Sequence, residues 1–166
     1  MDMLLRDIEM HNLTEIYDKT REFSPAPYLT DRKTIRRARN QAKKNGVWED
    51  LTRNLDPSHD IPVIKRSAFR NYQRIGDRIV PQDSEAYRSG ELQRAALALW
   101  LNHPNADVDY LQDLLWAYCD NFTWVMAAHE GNSIDLGSAA LGATFAEILY
   151  LLGAKIEDEV KERVSA

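Results

Sequence analysis

The sequence predicts an all-α chain of antiparallel helix pairs, and three observations carry that reading. Apolar residues recur at helical spacing, as in Val108, Leu111, Leu115 and Tyr118. Residues that start and stop helices stand at the ends of these periodic runs. Nowhere do apolar and polar residues alternate over six positions with β-branched enrichment, so no strand pattern competes.

Residues 1–22 read as an amphipathic opening helix, with Leu5, Ile8, Ile16 and Tyr17 set among charges. Ser24-Pro25-Ala26-Pro27 breaks it, because proline lacks an N–H donor and pushes the preceding residue out of helical geometry. Thr30 or Asp31 caps the next helix, which runs to Gly46, a residue suited to a left-handed helix end. A short helix is expected between Val47 and Leu55 around Trp48 and Leu51, then a loop from Asp56 to Pro62. Further helices are expected from Ile64 to Ile75, ending at Gly76-Asp77, and from near Ser84 to Asn102, stopping at His103-Pro104-Asn105. Asp107 caps a helix to Asp120, residues 121–133 read as irregular, and Asp135 caps a helix ending at Leu152-Gly153. Ile156 to Val164 begins its partner.

Two helices differ from the rest. Ala95-Ala96-Leu97-Ala98-Leu99-Trp100-Leu101 is apolar on every face, and Leu136 to Leu152 is nearly so, with Gly137, Ala139, Ala140, Gly142 and Ala143 permitting close approach. Helices of that kind are expected to be surrounded by others. The helix between them keeps a polar face in Asp109, Gln112, Asp113 and Asp120, so buried and half-exposed helices should alternate, as in a double-layered ring or solenoid.

Composition narrows the function. The 166 residues have room for one domain or one piece of a larger helical array. At 44% hydrophobic and 28% charged they can bury a core, which argues against wholesale disorder. A net charge of −5 argues against a nucleic-acid partner. Cys119 is the one cysteine, so neither an intrachain disulfide nor a thiolate zinc cluster can form. His11, His59, His103 and His129 lack metal-ligand spacing, and no Gly-x-Ser-x-Gly elbow occurs; no metal or cofactor is expected. The first residues, Met1-Asp2-Met3-Leu4-Leu5-Arg6-Asp7, carry no secretory signal, and no apolar run approaches the roughly 20 residues that span a bilayer. As written the chain is expected in the cytoplasm; with a leader removed it would be periplasmic or secreted.

Three constellations could carry chemistry. Arg32, Lys33, Arg36, Arg37, Arg39, Lys43 and Lys44 share one arc of a helix opposite Ile35, Ala38 and Ala42, forming either a polyanion-binding face or a solvated outer surface. The loop from Asn121 through Phe122, Trp124 and His129 to Gly131 lies between two capped helices. Trp124 can there offer a flat surface to a sugar ring, with His129 or Asn121 bonding hydroxyls or a carboxylate. The other reading is that Trp124 and Phe122 seal a gap between helices. Tyr72, Arg74, Arg78, Tyr87 and Arg88 flank the Gly76 turn; arginine pairs well with carboxylates, although ordinary surface charge explains these residues too. Glu147 sits in an apolar helix, where it either has a raised pKa or reaches the rim.

One region resembles a known family. Leu114-Leu115-Trp116-Ala117-Tyr118-Cys119-Asp120-Asn121-Phe122-Thr123-Trp124, then Ala127-Ala128-His129, then Ile134-Asp135-Leu136-Gly137-Ser138-Ala139-Ala140, resembles the N-terminal helical region of heparinase II/III-type polysaccharide lyases. Ala127 stands where that family has proline, Gly137-Ser138 where many members have bulkier residues, and Tyr72–Arg78 is similar to a family turn more loosely. The resemblance covers roughly residues 60–166. It implies residues 1–60 as N-terminal helices and linker, and 61–166 as a partial (α/α) toroid. It also implies a place in an enzyme that cleaves uronic-acid polysaccharides by β-elimination, so an acidic polysaccharide or oligosaccharide is the expected partner. The family's catalytic residues follow the long helix that here ends at Gly153, so none is assigned. Trp124, His129, Asn121, Tyr72, Arg78 and Arg88 are the candidate substrate-binding residues. A helical protein-interaction module, or a polyanion binder acting through the Arg32–Lys44 face, are the alternatives.

Overall fold

The computed structural model describes residues 27–53, 55–58, 60–77, 79–131 and 135–166, leaving aside the side chains of 79–84. The opening helix expected at 1–22, and Arg78, lie outside the described residues. The described residues are all-α, with no strand among them.

Helices α1 (Pro27–Thr30) and α2 (Arg32–Lys44) are separated by Asp31, whose carboxylate accepts the Thr34 N–H at 2.9 Å. Helix α2 stops at Asn45 and leaves through Gly46 at φ 73°, left-handed backbone that favours glycine. One turn, α3 (Asp50–Arg53), follows. Helix α4 (Arg66–Ile75) ends on left-handed Gly76, whose N–H returns to the Tyr72 carbonyl. Helix α5 runs from Ile79 to Trp100. It begins well before Ser84 because Pro81 falls in the first turn, where a missing N–H breaks no helical hydrogen bond. Helix α6 (Val108–Cys119) is capped by Asp107, which accepts the N–H groups of Asp109 and Tyr110. A short 3-10 turn (Ala127–His129) leads to α7 (Leu136–Leu152), and α8 (Asp158–Ser165) closes the chain.

The main core joins four helices. Leu92, Ala95 and Leu99 of α5 meet Tyr110, Leu111, Leu114, Leu115 and Tyr118 of α6, with Phe145, Ile148 and Leu152 of α7 and Val160 of α8. A smaller cluster fastens the N-terminal helices to the far end of α5, where Trp48 and Leu51 pack on Ala98 and Leu101. The Trp100 indole N–H reaches the Leu29 carbonyl at 2.9 Å, and Arg39 Nε reaches the Leu101 carbonyl at 2.7 Å.

The expected alternation of layers is corrected here. Helix α6, expected half-exposed, is the most enclosed: Leu111, Leu114, Leu115 and Tyr118 have no exposed surface. Its Gln112 is buried too, satisfied by accepting the Glu157 N–H at 2.7 Å, while Asp109, Asp113 and Asp120 stay exposed. Helix α7, expected to be surrounded, buries one side only. Leu136 is 82% exposed, and Ala139, Ala140, Ala143 and Ala146 also face outward. On α5, Leu97 is exposed although Ala95 and Ala98 are buried. Glu147 is exposed and sits at the rim of a second cavity of about 360 Å³ between α5 and α7.

Candidate functional site

The larger cavity, about 420 Å³, lies where α4, α5, α7 and the loop after α6 converge. That volume falls in the range of small-molecule clefts, roughly 300–1,000 Å³. Its walls are Phe69 from α4, Trp124, Val125 and Met126 from the loop, and Gly137, Ala140 and Leu141 from α7. The small residues of α7 keep that wall low, which is their visible role here.

Trp124 is fixed in two ways. Its indole N–H donates to the Tyr118 carbonyl at 2.8 Å, and its ring meets Phe145 edge to face at 5.3 Å. It remains 37% exposed, so it both closes the core over Phe145 and walls the cleft. With its N–H spent on the backbone, it offers a ligand only its apolar face. Phe122, more exposed, rests edge-on against Phe69.

The polar floor comes from α5. Arg88 is wholly buried and lies over the Tyr118 ring at 4.5 Å. It donates through Nη2 to Glu85 Oε2 at 2.8 Å and through Nη1 to Asn121 Oδ1 at 2.9 Å. The Tyr118 hydroxyl donates to Glu85 Oε1 at 3.0 Å. One turn on, Glu91 accepts from Arg94 and, at 2.9 Å, from the Tyr110 hydroxyl. Glu85, Arg88, Glu91 and Arg94 thus alternate in sign at three-residue spacing along one side of α5 and form two ion pairs, Glu85–Arg88 and Glu91–Arg94, while the Nε–H of each arginine is buried without a partner among the described residues. Burial raises the pKa of both tyrosines, assisted at Tyr110 by its hydrogen bond to Glu91 and at Tyr118 by the Glu85 charge. Both therefore stay protonated donors at neutral pH.

His129 is tied to the start of α7. Its Nδ1 lies 2.5 Å from Asp135 Oδ2, while Asp135 Oδ1 accepts the Ser138 N–H at 2.8 Å. Burial pushes the Asp135 carboxyl up, but the Ser138 N–H and His129 outweigh it and hold the group below its ordinary value. A lowered folded pKa gives stabilisation that is complete above the unfolded value and lost as pH falls through the folded one. Asp135→Ala is accordingly expected to cost about 1–2 kcal/mol at pH 7, typical of losing an N-cap. The gap to the parent should narrow as pH is lowered below about 4, the ordinary aspartate value. Urea melts across that range check it; a gap that stays constant with pH contradicts the assignment.

The candidate residues are therefore distributed unevenly. Asn121 and Trp124 line the cleft, and Arg88 stands behind it, against the lining residues Glu85, Asn121 and Tyr118. His129 is half-exposed on the α7 cap, and neither it nor Tyr72 on α4 is among the cleft's lining residues. No residue of α2 lines the cleft; of its cations, Arg39 is bonded to Leu101 and Lys43 lies over Trp48 at 4.8 Å. Reasoning from sequence missed Glu85 and Tyr118, which build the hydrogen-bonded floor, and also Ser89, Gln93 and Thr144 of the same lining. The readable signal was the Glu-x-x-Arg-x-x-Glu-x-x-Arg spacing from Glu85 to Arg94. Among the described residues there is no cluster of three or more metal-ligating side chains, and no helix long and apolar enough to cross a membrane.

Compared with protein-family models, curated proteins and solved structures, the chain matches none.

Proposed function

We propose that this chain is the N-terminal toroid segment of a heparinase II/III-like polysaccharide lyase, and that the α4–α5–α7 cleft holds part of an oligosaccharide. The observation that carries the reading is a rigid, partly exposed Trp124 face above a hydrogen-bonding floor of Glu85 and Asn121. Sugar rings need that combination: a flat apolar surface for their C–H face and fixed polar groups for their hydroxyls. The motif resemblance from Leu114 to Ala140 supports the family. In this reading the chain binds sugar without cleaving it, since β-elimination needs a group to neutralise the uronate carboxylate, a base and an acid, none of which is assigned here.

Trp124→Ala is expected to weaken oligosaccharide binding about tenfold, or roughly 1.4 kcal/mol. It should also lower stability, because the ring packs on Phe145. Trp124→Phe, which keeps an aromatic face and gives up the N–H, should restore most of the binding. Incubation with heparan sulfate, alginate or hyaluronan should produce no near-ultraviolet absorbance from an unsaturated uronate. Unchanged affinity in Trp124→Ala, or an absorbance rise that depends on tyrosine or histidine residues of this chain, overturns the reading.

A second reading, a helical protein-interaction module, draws on the exposed α7 face and the neighbouring groove lined by Leu29, Leu97, Trp100 and Leu151. It predicts that charged substitutions at Leu97 or Leu136 change association and leave sugar binding intact.

A further inference from the structure

A second surface stands apart from the cleft, on helix α2. That helix carries seven of the chain's 21 basic residues and none of its 26 acidic ones, leaving 14 against 26 elsewhere. The net charge of −5 therefore averages over a strongly segregated molecule. No acidic residue lies between Asp31 and Glu49, and Asp31 turns its carboxylate to the Thr34 N–H and hydroxyl.

The packing of α2 decides which way its cations point. Ala38 and Ala42 lie on the cluster of Trp48, Leu51, Ala98 and Leu101, and Arg39 spends its Nε–H on the Leu101 carbonyl. The apolar side of α2 is thus used inside the fold. At about 100° per residue, Arg32, Arg36 and Lys43 form one row away from that side, and Lys33, Arg37 and Lys44 form a second beside it. All six are exposed, and none makes an ion pair with another described residue. Exposed Asn40 stands between the rows. Like charges four residues apart, as in Arg32 with Arg36 and Lys33 with Arg37, destabilise an unbound helix, and a polyanion laid along the rows removes that repulsion.

The make-up of this arc selects among polyanions. It has no apolar residue to enter a lipid interface and no aromatic ring on which an unpaired base could stack. It offers guanidinium forks, which pair with phosphates, around an amide that can bond adenine N6 and N7. A helix with its side chains is about 10–12 Å across, and the major groove of B-DNA is about 12 Å wide. The deep, narrow major groove of duplex RNA does not admit side chains. We propose that α2 docks in the major groove of duplex DNA, with its two rows on the phosphates of the flanking strands and Asn40 toward the base edges. This function is separate from sugar binding, since no residue of α2 lines the cleft.

The test titrates the full chain, by fluorescence anisotropy, into a labelled DNA duplex of two helical turns, about 20 base pairs. Saturable binding is expected in about 50 mM salt, and with at least about four phosphates neutralised the affinity should fall about a hundredfold by about 200 mM. Arg36→Glu combined with Arg37→Glu should weaken binding at least about tenfold, and the neutral pair Arg36→Gln with Arg37→Gln should weaken it in the same direction. Arg66→Glu with Arg74→Glu, the same charge change at exposed positions of α4, should have a much smaller effect. Circular dichroism checks that each variant is folded. Asn40→Ala should keep the salt dependence and erase a preference for A·T-rich over G·C-rich duplexes. Absence of saturable binding in about 50 mM salt overturns the proposal. So do equal losses from the α2 and α4 variants, or tighter binding to phosphatidylserine vesicles, to duplex RNA or to single-stranded DNA than to the duplex.

Discussion

Arg88→Ala is expected to cost about 2–4 kcal/mol of unfolding free energy, from losing a fully buried side chain and its charge-assisted hydrogen bonds, less than for a wholly buried pair because Glu85 is partly exposed and water can solvate it. The side chain has no exposed surface, bridges Glu85 and Asn121, and covers the Tyr118 ring. Its loss leaves a cavity under α6 and sets the Asn121 amide free to turn, so the cleft floor should lose its order together with the stability. Arg88→Lys should not rescue either property. An ammonium is a point donor, and it cannot hold two acceptors in the plane of a guanidinium fork. Denaturant melts of both variants check this; a lysine variant as stable as the parent would mean that the fork is not what organises the floor.

Leu114→Ala carries the other large expected effect, about 2–5 kcal/mol, as for truncating a leucine in a well-packed core. Leu114 is fully buried at the centre of α6, where α5, α7 and α8 all pack. Its neighbour Asp113 is exposed, and Asp113→Ala should change stability by less than about 0.5 kcal/mol. Adjacent residues with such different costs are a direct reading of α6 as the central helix. Similar costs in the two thermal melts would return α6 to the outer layer expected from its acidic residues.

That reversal shows what pattern reasoning weighed wrongly. It counted apolar positions, by which α7 outranks α6. Burial follows volume and polar satisfaction instead. The outward positions of α7 are largely alanine, which leaves little apolar area in water, whereas α6 places three leucines and two tyrosines inward. Its one inward polar residue, Gln112, costs little because the Glu157 N–H meets it. Helix ends were far more legible, because they depend on single residues with local chemistry. Asp31, Asp107 and Asp135 each accept a backbone N–H at a helix start, and Gly46 and Gly76 each take left-handed backbone at a helix end.

The site was legible in part. The loop of Asn121 and Trp124 could be singled out because it breaks two capped helices with aromatic residues. Glu85 and Tyr118 could not be placed beside it, since the pairing spans 33 residues in sequence and depends on how α5 meets α6. Arg88 looked like surface charge because charged side chains usually are. Its burial is possible only because Glu85, Asn121 and the Tyr118 ring surround it.

The most direct test of the central claim is an oligosaccharide titration of the full chain observed by NMR at two reporters, the Trp124 indole N–H and the Asn121 side-chain amide. Binding in the cleft should shift both with one saturation curve, while the His129 ring and the exposed arginines of α2 stay unmoved. Shifts confined to α2, or saturable binding that leaves both reporters in place, would contradict the assignment of this cleft as the sugar site.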